Sequence, residues 1–143
     1  MGSEMCIRDR LREITYIHAE AYAGGELKHG PIAMLDASFP VVAIAPKDDV
    51  YDKMISNIEE VKARGAPILS LATKGDRQIG KITDDVIYVP KVHPILQPIV
   101  STVPLHLFAY YVGLSKGLNV DRPATWPKVS RWNKTIVAPR QSR

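Results

Sequence analysis

The chain has 143 residues, enough for one ordinary domain, and its hydrophobic (45%) and charged (24%) fractions are typical of a globular protein. Its one cysteine, Cys6, excludes an internal disulfide and a cysteine-based zinc site. We expect no membrane-spanning segment, because no apolar run reaches the roughly 18 residues that a span requires, and no secretory signal. The simplest expectation is a cytoplasmic protein.

The net charge of +4 comes from the C-terminal tail. Residues 122–143 contain six of the 19 Lys and Arg residues and no acid, so the rest of the chain has 13 basic against 15 acidic side chains. Nucleic-acid binders usually carry basic charge on a folded face, so we expect no nucleic-acid partner. Trp126 and Trp132 keep a nucleic-acid-binding tail open as a weaker alternative.

Apolar periodicity predicts alternating helices and buried strands. In chain order we predict a helix over residues 11–23, a short helix over 31–35, a strand over 40–45, a helix over 48–64, strands over 67–72 and 84–89, and a helix over 93–116. Gly24-Gly25 would end the first helix, Val50 would face inward at the start of the third, and Pro98 and Pro104 would kink the last.

Strands that alternate with helices favour an α/β fold with a parallel sheet. We divide the chain into a foreign-looking leader (1–10), the C-terminal part of an α/β domain (11–121) and a basic tail (122–143). No strand is predicted before the first helix, so the chain resembles the back half of a larger domain whose N-terminal strand or strands are missing.

Residues 16–31 (YIHAEAYAGGELKHGP) predict a site at the end of a helix. Ionisable side chains, among them His18, Glu20, Glu26 and His29, surround a double glycine, and sites often lie on such loops. His18 and His29 fit no compact metal-ligand spacing, so we expect no metal. No dinucleotide or P-loop motif occurs, and we expect no cofactor.

Four motifs carry a resemblance to a known family: EAYAGGELKHGPIAMLD (20–36), SNIEEVKARG (56–65), VPLHLFAY (103–110) and KGLNVDRP (116–123). In this order they resemble the glutamine–fructose-6-phosphate aminotransferases (isomerizing), or glucosamine-6-phosphate synthases, over residues 11–128. The resemblance implies a partial SIS (sugar isomerase) domain, a flavodoxin-like, parallel three-layer α/β sandwich, from the second of the family's two SIS subdomains.

The family forms glucosamine 6-phosphate and glutamate from fructose 6-phosphate and glutamine, an early step of amino-sugar biosynthesis. The resemblance implies that Glu13 moves a proton between C1 and C2, that His29 opens the sugar ring and that Lys128 is the Schiff-base amine. It also implies a homodimer in which His29 reaches the neighbouring subunit's site. Arg10 stands where the family has a second lysine, and we assign it no role.

Each of these residues also has a plainer interpretation. Glu13 could be a solvated helix glutamate, His29 a loop histidine that caps the next helix, and Lys128 a solvated lysine of the basic tail. An alternative function is an SIS-type sugar-phosphate-binding regulator, or a sugar-phosphate isomerase or deglycase without a glutaminase domain. We expect the chain alone to be inactive, because the family's glutaminase and phosphate-binding loops are not in it.

Overall fold

The computed structural model describes residues 2–121, with side chains from residue 7 onward. In chain order its elements are α1 (Gly2–Thr15), two short 3-10 helices (Glu26–His29 and Pro31–Met34), β1 (Val41–Ala45), α2 (Tyr51–Ala63), β2 (Ile68–Thr73), α3 (Ile79–Ile82), β3 (Asp85–Val89), a further 3-10 helix (Pro94–Leu96) and α4 (Gln97–Ser115).

The three strands form one parallel sheet in the order β1-β2-β3. Val41 pairs with Ile68, and Leu69 pairs with Asp85. Both faces of the sheet are covered by helices, which explains why β1 appears in the sequence as a continuous apolar run without polar alternation. The predicted strands and the parallel α/β fold are confirmed.

Each face of the sheet has its own core. Ala43 and Ala45 lie under α2, where Ile55 and Ile58 are buried against them. The other face carries Leu71 and Val89 against Leu105 of α4, with Ile7 of α1 and Ile44 packed alongside. The molecule is therefore a three-layer sandwich in which α2 and α3 form one layer and α1 and α4 form the other.

The first predicted helix was wrong in its bounds. α1 begins at Gly2 and ends at Thr15, and no helix covers residues 16–25. Tyr16 has a φ of 58°, in the left-handed region, which stops the helix before the double glycine is reached. The buried Thr15 hydroxyl donates to Leu11 O (2.6 Å) and accepts from the Ile17 N–H (3.2 Å), so it also satisfies backbone beyond the helix end.

Two details of the later helices also differ from expectation. Val50 is 56% exposed, and Tyr51 is buried at the start of α2 in its place. α4 runs without a break through Pro104, while Pro98 lies in its first turn, where a missing N–H costs nothing.

The expectation that no segment could span a bilayer needs a correction. Within residues 2–121, the stretch Pro94–Ser115 is long and apolar enough to cross a membrane by length and composition. This is weak evidence, because α4 packs against α1 and the β3 strand.

Candidate active site

Glu13 is positioned by the packing of α1 on α4. Its neighbour Ile14 is buried, and a Cβ added at Gly113 of α4 would lie 2.8 Å from Ile14 Cγ2. The missing side chain at Gly113 therefore lets the C-terminal turn of α1 approach α4 closely. The Glu13 side chain is about one-third exposed, and its Oε2 lies 3.4 Å from Arg10 Nη1 one turn earlier.

The segment after α1 brings His18, Glu20 and Tyr22 together. His18 Nε2 lies 3.1 Å from one carboxylate oxygen of Glu20, and the Tyr22 hydroxyl donates to the other. The hydrogen bond from Tyr22, followed by that from His18, lowers the pKa of the Glu20 carboxyl. Sequence reasoning did not select Tyr22, although a two-residue spacing in an extended segment places alternate side chains on one side.

His29 lies at the end of the 3-10 helix Glu26–His29, which is attached to the α2 side of the molecule. Leu27 packs against the core beneath α2, and Lys28 Nζ lies 2.6 Å from Glu60 Oε1. Gly30 follows with a φ of 152°, which turns the chain toward Pro31. The His29 side chain is exposed and has no hydrogen-bond or ion-pair partner among the described residues.

Glu13 and His29 are therefore carried by elements attached to opposite faces of the sheet. Glu13 belongs to the layer of α1 and α4, and His29 is fixed next to α2. The third predicted catalytic residue, Lys128, lies outside the described residues.

An open groove of about 500 Å³ lies between this loop and α2. Gly24 and Gly25 form its loop side, and Lys53 and Asn57 are on its helix side, with Lys28 also lining it. A Cβ at Gly24 would approach Asn57 Nδ2 to 2.7 Å, so a larger residue here would require the Asn57 side chain to move. Two lysines therefore line the groove beside the predicted loop, whereas Glu13 and His29 are not among its lining residues.

A buried polar cluster that the sequence did not indicate lies at the C-terminal ends of β1 and β2. Asp76 is 5% exposed, and its Oδ1 accepts from the Gln78 N–H (2.9 Å) and the Ile79 N–H (3.4 Å). Tyr51 Oη and Asp76 Oδ2 are buried near each other without full hydrogen-bonding geometry, and Lys47 Nζ is 5.7 Å from the Tyr51 ring centre.

The ionisation of this cluster is shifted by its burial. Burial on its own would raise the pKa of Asp76, but the Tyr51 hydroxyl, the two backbone N–H groups and Lys47 outweigh it, and the pKa is lowered. Burial is the main cause that raises the pKa of the Tyr51 phenol far above its ordinary value, and the neighbouring Asp76 raises it further. The cluster ties the loop after β2 to α2 and α3, which is a structural role.

No group of three or more His, Cys, Asp or Glu side chains among the described residues could hold a metal ion.

Comparison with known proteins identifies the family. The SIS domain family matches residues 6–116. This chain belongs to the SIS domain family. It is 54% identical over 119 residues to glutamine–fructose-6-phosphate aminotransferase [isomerizing] from Thermus thermophilus and 51% identical over 119 residues to the enzyme of the same name from Clostridium acetobutylicum. The resemblance drawn from the four sequence motifs is confirmed.

A solved structure supports the same assignment. The C-terminal domain of glucosamine-fructose-6-phosphate aminotransferase from Francisella tularensis superposes with a TM-score of 0.73 at 40% identity, covering 81% of this chain and 33% of that one. The alignments with both curated relatives cover 83% of this chain, but the chain spans only about a fifth of their length. It therefore corresponds to one part of the sugar-isomerase portion of a much longer enzyme.

Proposed function

We propose that this chain provides part of the isomerase site of a glutamine–fructose-6-phosphate aminotransferase, which makes glucosamine 6-phosphate and glutamate from fructose 6-phosphate and glutamine. The observation that carries the proposal is the 54% identity over 119 residues to a protein of that name. The substrate of this portion would be the sugar phosphate, and the product would supply amino-sugar biosynthesis in the cytoplasm.

The proposed chemistry requires three proton-handling or nucleophilic groups. His29 transfers the proton that opens the ring of fructose 6-phosphate. The Lys128 amine adds to the C2 carbonyl with loss of water, and ammonia from glutamine then displaces it to give the C2 imine. Glu13 removes a proton from C1 to give the enolamine and returns it to C2, while the C1 hydroxyl loses its proton to become the aldehyde and the imine nitrogen gains one to become the amine.

The environments of Glu13 and His29 support these roles. Glu13 stands at the end of a helix held tightly on α4, which fixes a carboxylate in place as a shuttle requires. His29 is exposed without a partner among residues 2–121 and belongs to the opposite side of the sheet. An imidazole in that position suits a site completed by a neighbouring subunit, so we propose a homodimer in which His29 acts in the partner's site.

The first test uses the purified chain alone. It should form no glucosamine 6-phosphate from fructose 6-phosphate and ammonia, because ammonia replaces only the glutaminase and not the rest of the isomerase. Glucosamine 6-phosphate formed by the chain alone would contradict this expectation. Interconversion of fructose 6-phosphate and glucose 6-phosphate by the chain would favour the alternative, an isomerase without a glutaminase.

The second test places the chain in a whole enzyme. Residues 11–128 would replace the corresponding segment of the Thermus thermophilus relative, and the chimera should form glucosamine 6-phosphate from fructose 6-phosphate and glutamine. Glu13→Gln and His29→Asn should each lower kcat by about 100-fold or more, the range expected for a lost general acid or base.

Two matched substitutions serve as controls in the chimera. Glu26→Gln changes a carboxylate near the same loop, and His93→Asn changes a histidine but keeps a residue able to accept from the Ile95 N–H. Both should leave kcat within a few-fold of the parent chimera. Equal losses in the controls and in the site variants would contradict the assigned roles.

A further inference from the structure

Glu20 holds two neighbouring side chains through its two carboxylate oxygens. His18 Nε2 lies 3.1 Å from Oε1, and the Tyr22 hydroxyl donates to Oε2. Because an ionised carboxylate only accepts hydrogen bonds, Nε2 carries a hydrogen and Nδ1 points to no partner among the described residues. The His18 side chain is 70% exposed, so a molecule from outside can reach Nδ1.

The three side chains differ in what they can do with a proton at neutral pH. The hydrogen bond from Tyr22, followed by that from His18, lowers the pKa of the Glu20 carboxyl, which therefore stays ionised. The hydrogen bond to Glu20 raises the pKa of the Tyr22 phenol, which therefore stays protonated. An imidazole titrates close to neutral pH, so His18 is the member that can both give and take a proton.

This cluster lies close to the helix turn that carries Glu13. After the hydrogen bonds from Tyr22 and His18, the charge of Arg12 in the last turn of α1 also lowers the pKa of the Glu20 carboxyl. Salt screens exposed charges from one another beyond about 10 Å, so Glu20 lies near that turn. An acid–base histidine is therefore held on the same side of the sheet as Glu13.

The proposed reaction leaves two proton transfers without a carrier. Glu13 serves C1 and C2, and His29 serves ring opening, but the imine nitrogen must also gain a proton and the C1 hydroxyl must lose one. Arg10 lies 3.4 Å from Glu13, yet it is unsuited to the task because a guanidinium keeps its protons at neutral pH.

We propose that His18 carries the proton between the imine nitrogen and the C1 oxygen, with Glu20 and Tyr22 as positioning residues. This inference rests on the proposed function, because it concerns the same isomerase site. First, Glu13 takes the C1 proton, and the His18 imidazolium gives its Nδ1 proton to the imine nitrogen, which yields the neutral enolamine. Then Glu13 returns its proton to C2, and Nδ1 takes the proton of the C1 hydroxyl as the aldehyde forms.

Each group ends in the protonation state in which it began. Glu13 is again a carboxylate and His18 is again an imidazolium, so the step needs no further reactant. The Glu20 carboxylate stabilises the imidazolium and fixes the ring through Nε2, while Tyr22 holds the other oxygen of Glu20. A carboxylate that orients a catalytic imidazole in this way is a recurrent arrangement in enzymes.

The first experiment uses the chimeric enzyme. His18→Ala should lower kcat by about 100-fold or more, and added imidazole should restore activity in proportion to its concentration, which a purely structural loss would not allow. His106→Ala is the matched control, because His106 is also exposed but lies on α4, and it should keep kcat within a few-fold.

The outcomes of this experiment separate the inference from the proposed function. If the parent chimera is active and His18→Ala is nearly as active, or if imidazole rescues nothing, the role of His18 is wrong and the proposed function still stands. An inactive parent chimera would contradict the proposed function and this inference with it.

The second experiment asks whether Glu20 acts through His18. Glu20→Gln keeps the size of the side chain but removes its charge, and it should lower kcat by about 10-fold or more with little change in KM. In the His18→Ala background the same substitution should have almost no further effect, because no imidazole remains to be positioned. Losses that multiply in the double variant would overturn the positioning role of Glu20.

The third experiment needs no catalytic activity. In the ¹⁵N-labelled chain at about pH 9, where a free imidazole is neutral, ¹H–¹⁵N correlation spectra report which ring nitrogen carries the hydrogen. His18 should have its hydrogen on Nε2 to a greater extent than His106, which has no carboxylate partner among the described residues. The same distribution in both histidines, or a hydrogen mainly on Nδ1 of His18, would overturn the arrangement.

Discussion

Gly113→Ala tests whether close packing of α1 on α4 sets the position of Glu13. The new Cβ would lie 2.7 Å from Val120 Cγ1 and 2.8 Å from Ile14 Cγ2, both shorter than side-chain contacts tolerate. Overpacking of this kind costs about 1–3 kcal/mol, and the better helix propensity of alanine returns up to about 1 kcal/mol. We expect a net loss of about 1–2 kcal/mol in the free energy of unfolding.

The assay is urea unfolding of the purified chain, in which the midpoint should fall by on the order of 0.5–1 M. Gly80→Ala in α3 is the matched control, because its Cβ would meet only Tyr88 Oη at 3.5 Å and Val86 Cγ2 at 4.0 Å, ordinary contact distances. That variant should be as stable as the wild type or slightly more so. A Gly113→Ala chain at least as stable as the wild type would refute the packing argument. So would a double variant, Gly113→Ala with Val120→Ala, that is no more stable than Gly113→Ala alone.

Two further predictions concern buried charge and backbone strain. Because the folded pKa of Asp76 is lowered, its contribution to stability is present above the unfolded pKa of about 3.9 and is lost as the pH falls through the folded pKa. Asp76→Asn should therefore cost about 1–3 kcal/mol at neutral pH and progressively less in acid, and a loss independent of pH would argue against this assignment. Tyr16→Asn should be more stable than Tyr16→Val by about 1 kcal/mol in the same urea assay, because a β-branched residue tolerates the left-handed region least. Equal stabilities of the two variants would show that the φ of 58° carries no strain.

The sheet could be predicted from the sequence because its strands leave an unambiguous pattern. The run that forms β1 is continuously apolar and ends at Pro46, and the run that forms β2 is mostly apolar and ends near Gly75, so burial on both faces was the natural interpretation. The parallel direction followed from the helix that lies between them. The structure changed the bounds of each strand by no more than a residue or two.

The first helix could not be predicted because its limits depend on tertiary contacts. The apolar spacing in residues 11–23 fits a helix, yet Thr15 is fully buried against the rest of the fold and Tyr16 adopts a left-handed conformation. The sequence alone pointed to Gly24-Gly25 as the helix end. In the structure Gly24 instead gives the loop room beside Asn57 of α2.

The candidate catalytic residues were predicted mainly through the family resemblance. The buried polar cluster of Asp76 and Tyr51 was not predicted. Glu13 and His29 were selected because the family resemblance assigns them roles, since an exposed histidine has no periodic signature of its own. Asp76 and Tyr51 lie 25 positions apart and meet only because β2 and α2 are neighbours in the fold.

The most direct test of the central claim mixes two inactive forms of the chimeric enzyme, Glu13→Gln and His29→Asn. If His29 acts in the partner's site, half of randomly paired dimers are mixed and each has one intact site, so activity should return to roughly a quarter of the parent chimera's. Subunit exchange would be verified with differently tagged chains. If exchange is complete and the mixture stays as inactive as its two components, His29 does not complete the neighbouring subunit's site, and the proposed arrangement of Glu13 and His29 is wrong.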